Sequence, residues 1–289
     1  MKTLLIILLT ISLTCQGQDL KYASINIISS SLISGVGAGI HKHSNETFFH
    51  AFKAGCWKGA IGGAVQFTSK KMIQQSAYEN NFNWIWPART IDALGTSIVT
   101  NGVQNEKIFS SFNMNLFFIS LTYDKKLHCR FDPYTLGSAV VLSFNKNMTF
   151  NFENSLYTGS LLFYYKKSWN NSNEDGSYGA YGETGINLGN TIYVKDFLRL
   201  NDTFNGDQKY IDFFKSMTLK TICHELTHSF QYNEYNSLNG LFLDNLTTKL
   251  HIYKYLNINL NFAALYLIAN IQEYKYNYFE NEAEYCGRY

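Results

Sequence analysis

Long apolar stretches punctuated by glycine dominate the first hundred residues. From Ala23 to Ile40 no charged residue occurs, and glycine recurs at positions 35, 37 and 39. Gly55, Gly59 and Gly63 then fall at every fourth position, on one face of a helix. That interval lets two helices approach closely, in membranes and in soluble pairs alike. Lys53, Lys58 and Gln66 interrupt the second segment, and charge at a bilayer centre is costly. The pattern over 18–105 therefore predicts a soluble or peripheral helical hairpin, with membrane association through the same helices as the competing reading.

Pro87, after "WIWP", suits the first turn of a helix reaching about Thr100. Ile108 to Tyr123 and Leu127 to Asp132 are rich in Phe, Leu, Ile and Tyr and are separated by the polar turn "DKK", which predicts a β-hairpin. Strand-like runs at Ala139 to Phe144, Met148 to Phe152 and Ser160 to Tyr165 extend it into an antiparallel meander over 106–168. Its alternating aromatics suit a half-buried sheet. The stretch from Asn170 to Gly182 is polar and predicts an exposed loop. "NTIYV" reads as a short strand. From about Asp212, apolar residues at Phe213, Met217, Leu219, Ile222 and Leu226 recur at helical spacing. A further helix is expected from Leu260 to Tyr274 and a last helical turn over Glu280 to Glu284. The whole reads as α+β.

Lys2 followed by the uncharged run from Thr3 to Thr14 has the layout of a secretory leader. Cleavage after Gly17 is expected, with Cys15 as an alternative lipidation point. Such a leader implies export, to a periplasm, an envelope or the medium. The formal charge is +2, or +1 without Lys2, and creates no field that would recruit nucleic acid. Cys56, Cys129, Cys223 and Cys286 remain after cleavage; three pairings, or free thiols, are open to them.

Candidate chemistry lies in "TICHELTHSFQYNE", residues 221 to 234. His224 and His228 are four apart, so a helix presents both imidazoles on one face and can offer them to one metal ion. Glu225 is placed to face a water held by that ion. Zinc lowers the pKa of such a water to roughly 7, and a carboxylate can then accept its proton as general base. Chance placement yields the pattern in roughly one chain in 150, and a catalytic zinc usually needs a third protein ligand. "ENEAE" supplies the candidates: Glu280 and Glu284 share a helical face, Glu280 as ligand and Glu284 as hydrogen-bond partner of a ligand histidine. Glu282 points elsewhere.

"HELTH" resembles the signature of zincin metallopeptidases, and "ENEAE" is similar to the third-ligand helix of their gluzincin branch. Together with "GETGINLGNTIYV" and Gln231 in "HELTHSFQ", these residues resemble the metallopeptidase-like core domain found with extracellular contractile injection systems. The resemblance covers about 178–289, and Glu284 stands where that family carries Asp. It implies a zinc-dependent peptidase acting on a peptide or protein, with "NTIYV" as an edge strand that an extended substrate can join. Tyr232 and Tyr285 are the candidate donors to a developing oxyanion. A non-catalytic envelope-associated protein on the same scaffold is the alternative. His41, His43 and His50 fit no common zinc spacing, and no Gly-rich segment ends in the Lys-Ser or Lys-Thr of a phosphate loop.

Overall fold

Glycine spacing sets how closely the first helices pack. The computed structural model describes residues 17–165, 185–195, 208–242, 255–257 and 277–288. The leader expected over 1–17 (apart from Gly17), the polar loop expected over 170–182 and the helix expected over 260–274 lie outside these residues. Helices α1 (Gly17–Ile40), α2 (Phe48–Glu79) and α3 (Ile85–Val103) pack together. A Cβ at Gly55, Gly59 or Gly63 would run into the backbone carbonyls of Ser34, Ser30 and Asn26, so only glycine lets α2 approach α1 this closely. Hydroxyls then join the helices: Ser30 donates to Gln66 Oε1 at 2.9 Å, and Ser34 to the Val99 carbonyl at 2.9 Å.

α1 is long and apolar enough to cross a membrane, yet half of its most apolar stretch is buried within the protein. Its pattern is inverted. Asn26, Ser30 and Ser34 face inward, whereas Ile28, Leu32, Val36 and Ile40 are exposed.

The expected meander divides into two sheets. β1 (Phe112–Leu116), β2 (Ile119–Tyr123) and β3 (Leu127–Phe131) form an antiparallel sheet, with the anticipated "DKK" turn between β2 and β3. The run from Ala139 to Phe144 is not a strand: it belongs to helix α4 (Pro133–Ser143). Asp132 caps that helix, accepting from the backbone N–H groups of Tyr134 and Thr135, and Pro133 occupies its first turn. This local start signal outweighs the β-branched residues that follow. After β4 (Met148–Phe150), Asn151 caps a short helix, α5 (Phe152–Thr158), which ends at Gly159 in the left-handed region (φ 64°).

The second sheet has the order β4-β5-β7-β6, with β5 (Leu161–Tyr165) parallel to β7 (Thr191–Lys195). β6 (Gly185–Leu188) folds back on β7 through Gly189 at φ 72°. "NTIYV" is therefore an inner strand, and "GINL" is, with β4, an edge among the described strands.

Across this sheet lies α6 (Gln208–Tyr235). Its Leu219, Ile222, Cys223, Leu226 and Phe230 pack with Leu162 of β5, Ile192 and Val194 of β7, Ile73 and Ala77 of α2, and Ile85 and Ala88 of α3. The final helix, α7 (Tyr278–Arg288), closes the opposite side of α6 and also touches α2. Cys56, Cys129, Cys223 and Cys286 are all free. Burial pushes the thiols of Cys223 and Cys286 far above their ordinary range, so both behave as small apolar side chains.

The glycine contacts give a matched test. Gly59→Ala should destabilise by about 1–3 kcal/mol through overpacking, whereas Gly137→Ala in α4, with nothing within 4 Å of the added carbon, should stabilise by about 0.5–1 kcal/mol. Urea denaturation of the two variants reads both signs.

Candidate metal centre

α6 is buried on all sides from Ile222 to Glu234, although most of that stretch is polar. His224 and His228 project from one face toward α7, and the imidazole centroids lie 5.0 Å apart. From α7, Glu280 places Oε2 3.5 Å from Nε2 of His224 and 3.5 Å from Nε2 of His228. The three ligand atoms lie within 4.8 Å of one another, and all three residues are buried. These separations are longer than hydrogen bonds. The two separations from Glu280 match the edge of a tetrahedron whose metal–ligand bonds are about 2.0–2.1 Å, which is about 3.4 Å. Two imidazole nitrogens and one carboxylate oxygen in this arrangement can hold a metal ion.

The approach of α7 depends on Gly287, where a Cβ would lie 2.6 Å from Cβ of His224 and 2.7 Å from its Cα. Glu284 places Oε2 3.7 Å from Nδ1 of His224, on the side of the ring away from Glu280. His228 is oriented differently: its Nδ1 lies 2.8 Å from Oε1 of Gln231. The other end of that amide donates to Oε2 of Glu282 at 2.9 Å and to the Phe279 carbonyl at 3.1 Å. Since both of those groups accept, the amide oxygen must face His228. The ring then carries a proton on Nδ1, and in its neutral form the lone pair of Nε2 is directed at Glu280. Burial opposes a positive charge on His228, but Glu280 and Glu225 outweigh it and raise its pKa above 6.5.

Glu225 lies on the adjacent face of α6, against the edge strand. A Cβ at Gly185 would sit 2.7 Å from its Oε1, so the glycine of β6 makes room for this carboxylate. Asn187, two residues along β6, donates to the Glu225 carbonyl at 3.1 Å and to Ser229 Oγ at 2.7 Å, fixing strand to helix. The carboxylate against the strand edge and the triad facing α7 thus occupy adjacent faces of α6.

Both candidate tyrosine donors are engaged elsewhere. Tyr232 is 1% exposed and donates to Asp132 Oδ2 at 2.9 Å; burial, first, and then Asp132 push its phenol far above the ordinary range. Tyr285 stacks on Tyr22 and its hydroxyl bonds Asp19. Neither role assigned from sequence spacing fits these partners. His41, His43 and His50 form no ligand cluster among the described residues.

Sequence spacing also misses Glu282. It is fully buried, and Lys70 of α2, itself 1% exposed, donates to Glu282 Oε2 at 2.9 Å and to Glu234 Oε2 at 2.8 Å. Burial opposes the Lys70 charge, but the two carboxylates overcome it and hold the ammonium protonated. Burial likewise raises Glu282, yet Lys70, Gln231 and Asn26 prevail and hold it below the usual carboxylate range. A lysine at position 70 of a glycine-spaced helix carries no signal for this contact. Separately, a polar cavity of about 300 Å³ lies between α3, the first sheet and the end of α6, lined by Asp92, Asn115, Arg130, Asn233 and Asn257 among others. The metal triad is not part of it.

Burial, augmented by Glu282, raises Glu234 from 4.5 to about 7 despite Lys70. Between those values the folded chain binds this proton more tightly than the unfolded chain, so stability falls as pH rises from 4.5 to 7. Glu234→Gln removes that slope, and the urea midpoint of wild type should fall relative to that of the variant as pH rises from 4.5 to about 8. No family model matches the chain, and no curated protein or solved structure matches it either.

Proposed function

We propose that the protein is an exported zinc-dependent metallopeptidase. The observation that carries this reading is the buried His224, His228 and Glu280 triad with Glu225 beside it at a strand edge. The donor set suits zinc, which favours four-coordinate sites with imidazole and carboxylate ligands and, in catalytic sites, keeps one position open. Zinc at this triad would supply Lewis acidity to a scissile carbonyl and would acidify a water.

The residues of the chain do the rest. His224, His228 and Glu280 would hold the ion, with Gln231 keeping a proton on Nδ1 of His228. Glu225 accepts the proton of the attacking water and returns it to the leaving amine. Its position beneath Gly185 brings that base next to β6, whose outer edge offers main-chain groups to an extended peptide. With Tyr232 and Tyr285 bonded to aspartates, no tyrosine from the sequence reading is assigned to the oxyanion.

Export is supported by the leader-like run after Lys2. Envelope association draws on the exposed aliphatic stripe of α1, formed by Ile28, Leu32, Val36 and Ile40.

The second reading, a non-catalytic binding protein on the same scaffold, draws on the polar cavity behind α6. Two of its lining atoms, Asp92 Oδ1 and Asn257 Nδ2, are buried without a hydrogen-bond partner. Zinc bound with no cleavage of any member of a broad peptide library would favour this reading.

Glu225→Gln should retain zinc, measured by metal analysis of the purified protein, while lowering peptide hydrolysis by about 10²–10⁴-fold. Undiminished cleavage by this variant would rule out the mechanism. Chelation of the wild-type protein should abolish cleavage, and stoichiometric zinc should restore it.

A further inference from the structure

His228 and Lys70 are joined by an unbroken chain of buried hydrogen bonds. From His228 Nδ1 it passes to Gln231 Oε1 at 2.8 Å, from Gln231 Nε2 to Glu282 Oε2 at 2.9 Å, and reaches Lys70 Nζ at 2.9 Å. Each link constrains the next. A carboxylate only accepts, so Glu282 turns the Gln231 amide nitrogen toward itself and its oxygen toward the histidine. That oxygen holds the imidazole proton on Nδ1.

Glu282 needs its own support, because a buried carboxylate is costly unless paired and fully hydrogen-bonded. It receives Lys70 on one oxygen; the other accepts from Asn26 Nδ2 at 2.6 Å and Tyr278 Oη at 2.8 Å. Lys70 in turn donates to Asn26 Oδ1 at 2.8 Å. Asn26 and Lys70 belong to α1 and α2, which meet at Gly63, where a Cβ would strike the Asn26 carbonyl. The glycine contact therefore fixes the two residues that hold Glu282.

We propose that Lys70 is a positioning residue of the metal site: by holding Glu282, and through it Gln231, it fixes the tautomer and aim of His228. The N-terminal hairpin is then part of the metal centre, not an appended module. This rests on the triad's being a zinc site, and the test separates the two ideas.

Lys70→Met combined with Glu234→Gln removes the ammonium while leaving the net charge of the buried cluster unchanged, which favours retention of the fold. Gln231→Leu cuts the same chain one link from the histidine and leaves Lys70 paired. Two measurements apply to both variants: zinc affinity by competition with a chromogenic chelator, and the ¹⁵N resonances of the His228 ring in metal-free protein. At alkaline pH, where the ring is neutral, wild type should show a single His228 tautomer protonated at Nδ1. Each variant should show a mixed or reversed tautomer and bind zinc about 10–100-fold more weakly, the usual cost of losing an outer hydrogen-bond partner of a ligand. Unchanged affinity and tautomer in a folded double variant would overturn the role of Lys70; the same result in Gln231→Leu would overturn the chain as a whole. A wild type that binds no zinc would instead sink the metal-site reading, while the metal-free tautomer would still report on Lys70.

Discussion

A helix that is polar yet buried on every side must find a partner for each of its side chains. From Ile222 to Glu234, α6 has no solvent to turn to, and an unsatisfied buried polar group costs about 1–3 kcal/mol. Its partners come from the whole length of the chain. Lys70 meets Glu234, Asn115 meets Asn233, Asp132 meets Tyr232, Asn187 meets Ser229, and Glu282 meets Gln231. Helices, both sheets and the C-terminus are thereby tied to one element. The apolar face of α6 supplies the driving force of burial, and these polar pairs decide which arrangement of the surrounding elements is acceptable.

Much of the fold is legible where a local signal dominates. The glycine interval predicts α1 against α2, and the four-residue histidine spacing together with the apolar positions predicts α6. Legibility fails where an apolar run is equally compatible with strand or helix. Ala139 to Phe144 reads as a strand by composition, but Asp132 and Pro133 upstream initiate a helix, and those two residues were the available signal. Strand order is harder still. The parallel pairing of β5 with β7 joins segments some thirty residues apart, and no local pattern specifies it. The "GN" turn between "GINL" and "NTIYV", by contrast, is a hairpin signal from which the pairing of β6 with β7 follows.

The site divides in the same way. His224, His228 and Glu280 were legible because a site able to hold a metal ion needs a set spacing on a helix and an acidic residue elsewhere, and the three side chains do converge. Glu282 was not, because helical geometry shows only that it leaves the face of Glu280 and Glu284. Whether the opposite face meets water or a buried cation depends on a lysine 212 positions away. Tyr232 shows the converse error. One turn beyond His228 is close in sequence, but the side chain points to the sheet side of α6 and bonds Asp132.

Successive residues on a helix are turned by about 100°, and α6 uses that rotation to separate two requirements. Glu225 and Ser229 face β6, where Gly185 and Asn187 keep the strand close without filling the space of the carboxylate. His224, His228 and Gln231 face α7 and the charge cluster behind it. In the proposed mechanism a base must reach a reacting group, whereas a metal ligand must be held still, so the strand edge beside Gly185 would suit the first and the dense hydrogen-bonded side the second. The burial of Lys70 then has a physical rationale beyond stability, since a buried ion cluster is seldom the most stabilising way to fill a core. In the proposed site it would provide direction: a fixed cation orients a carboxylate, the carboxylate orients an amide, and the amide keeps the His228 proton on Nδ1, with Nε2 toward Glu280.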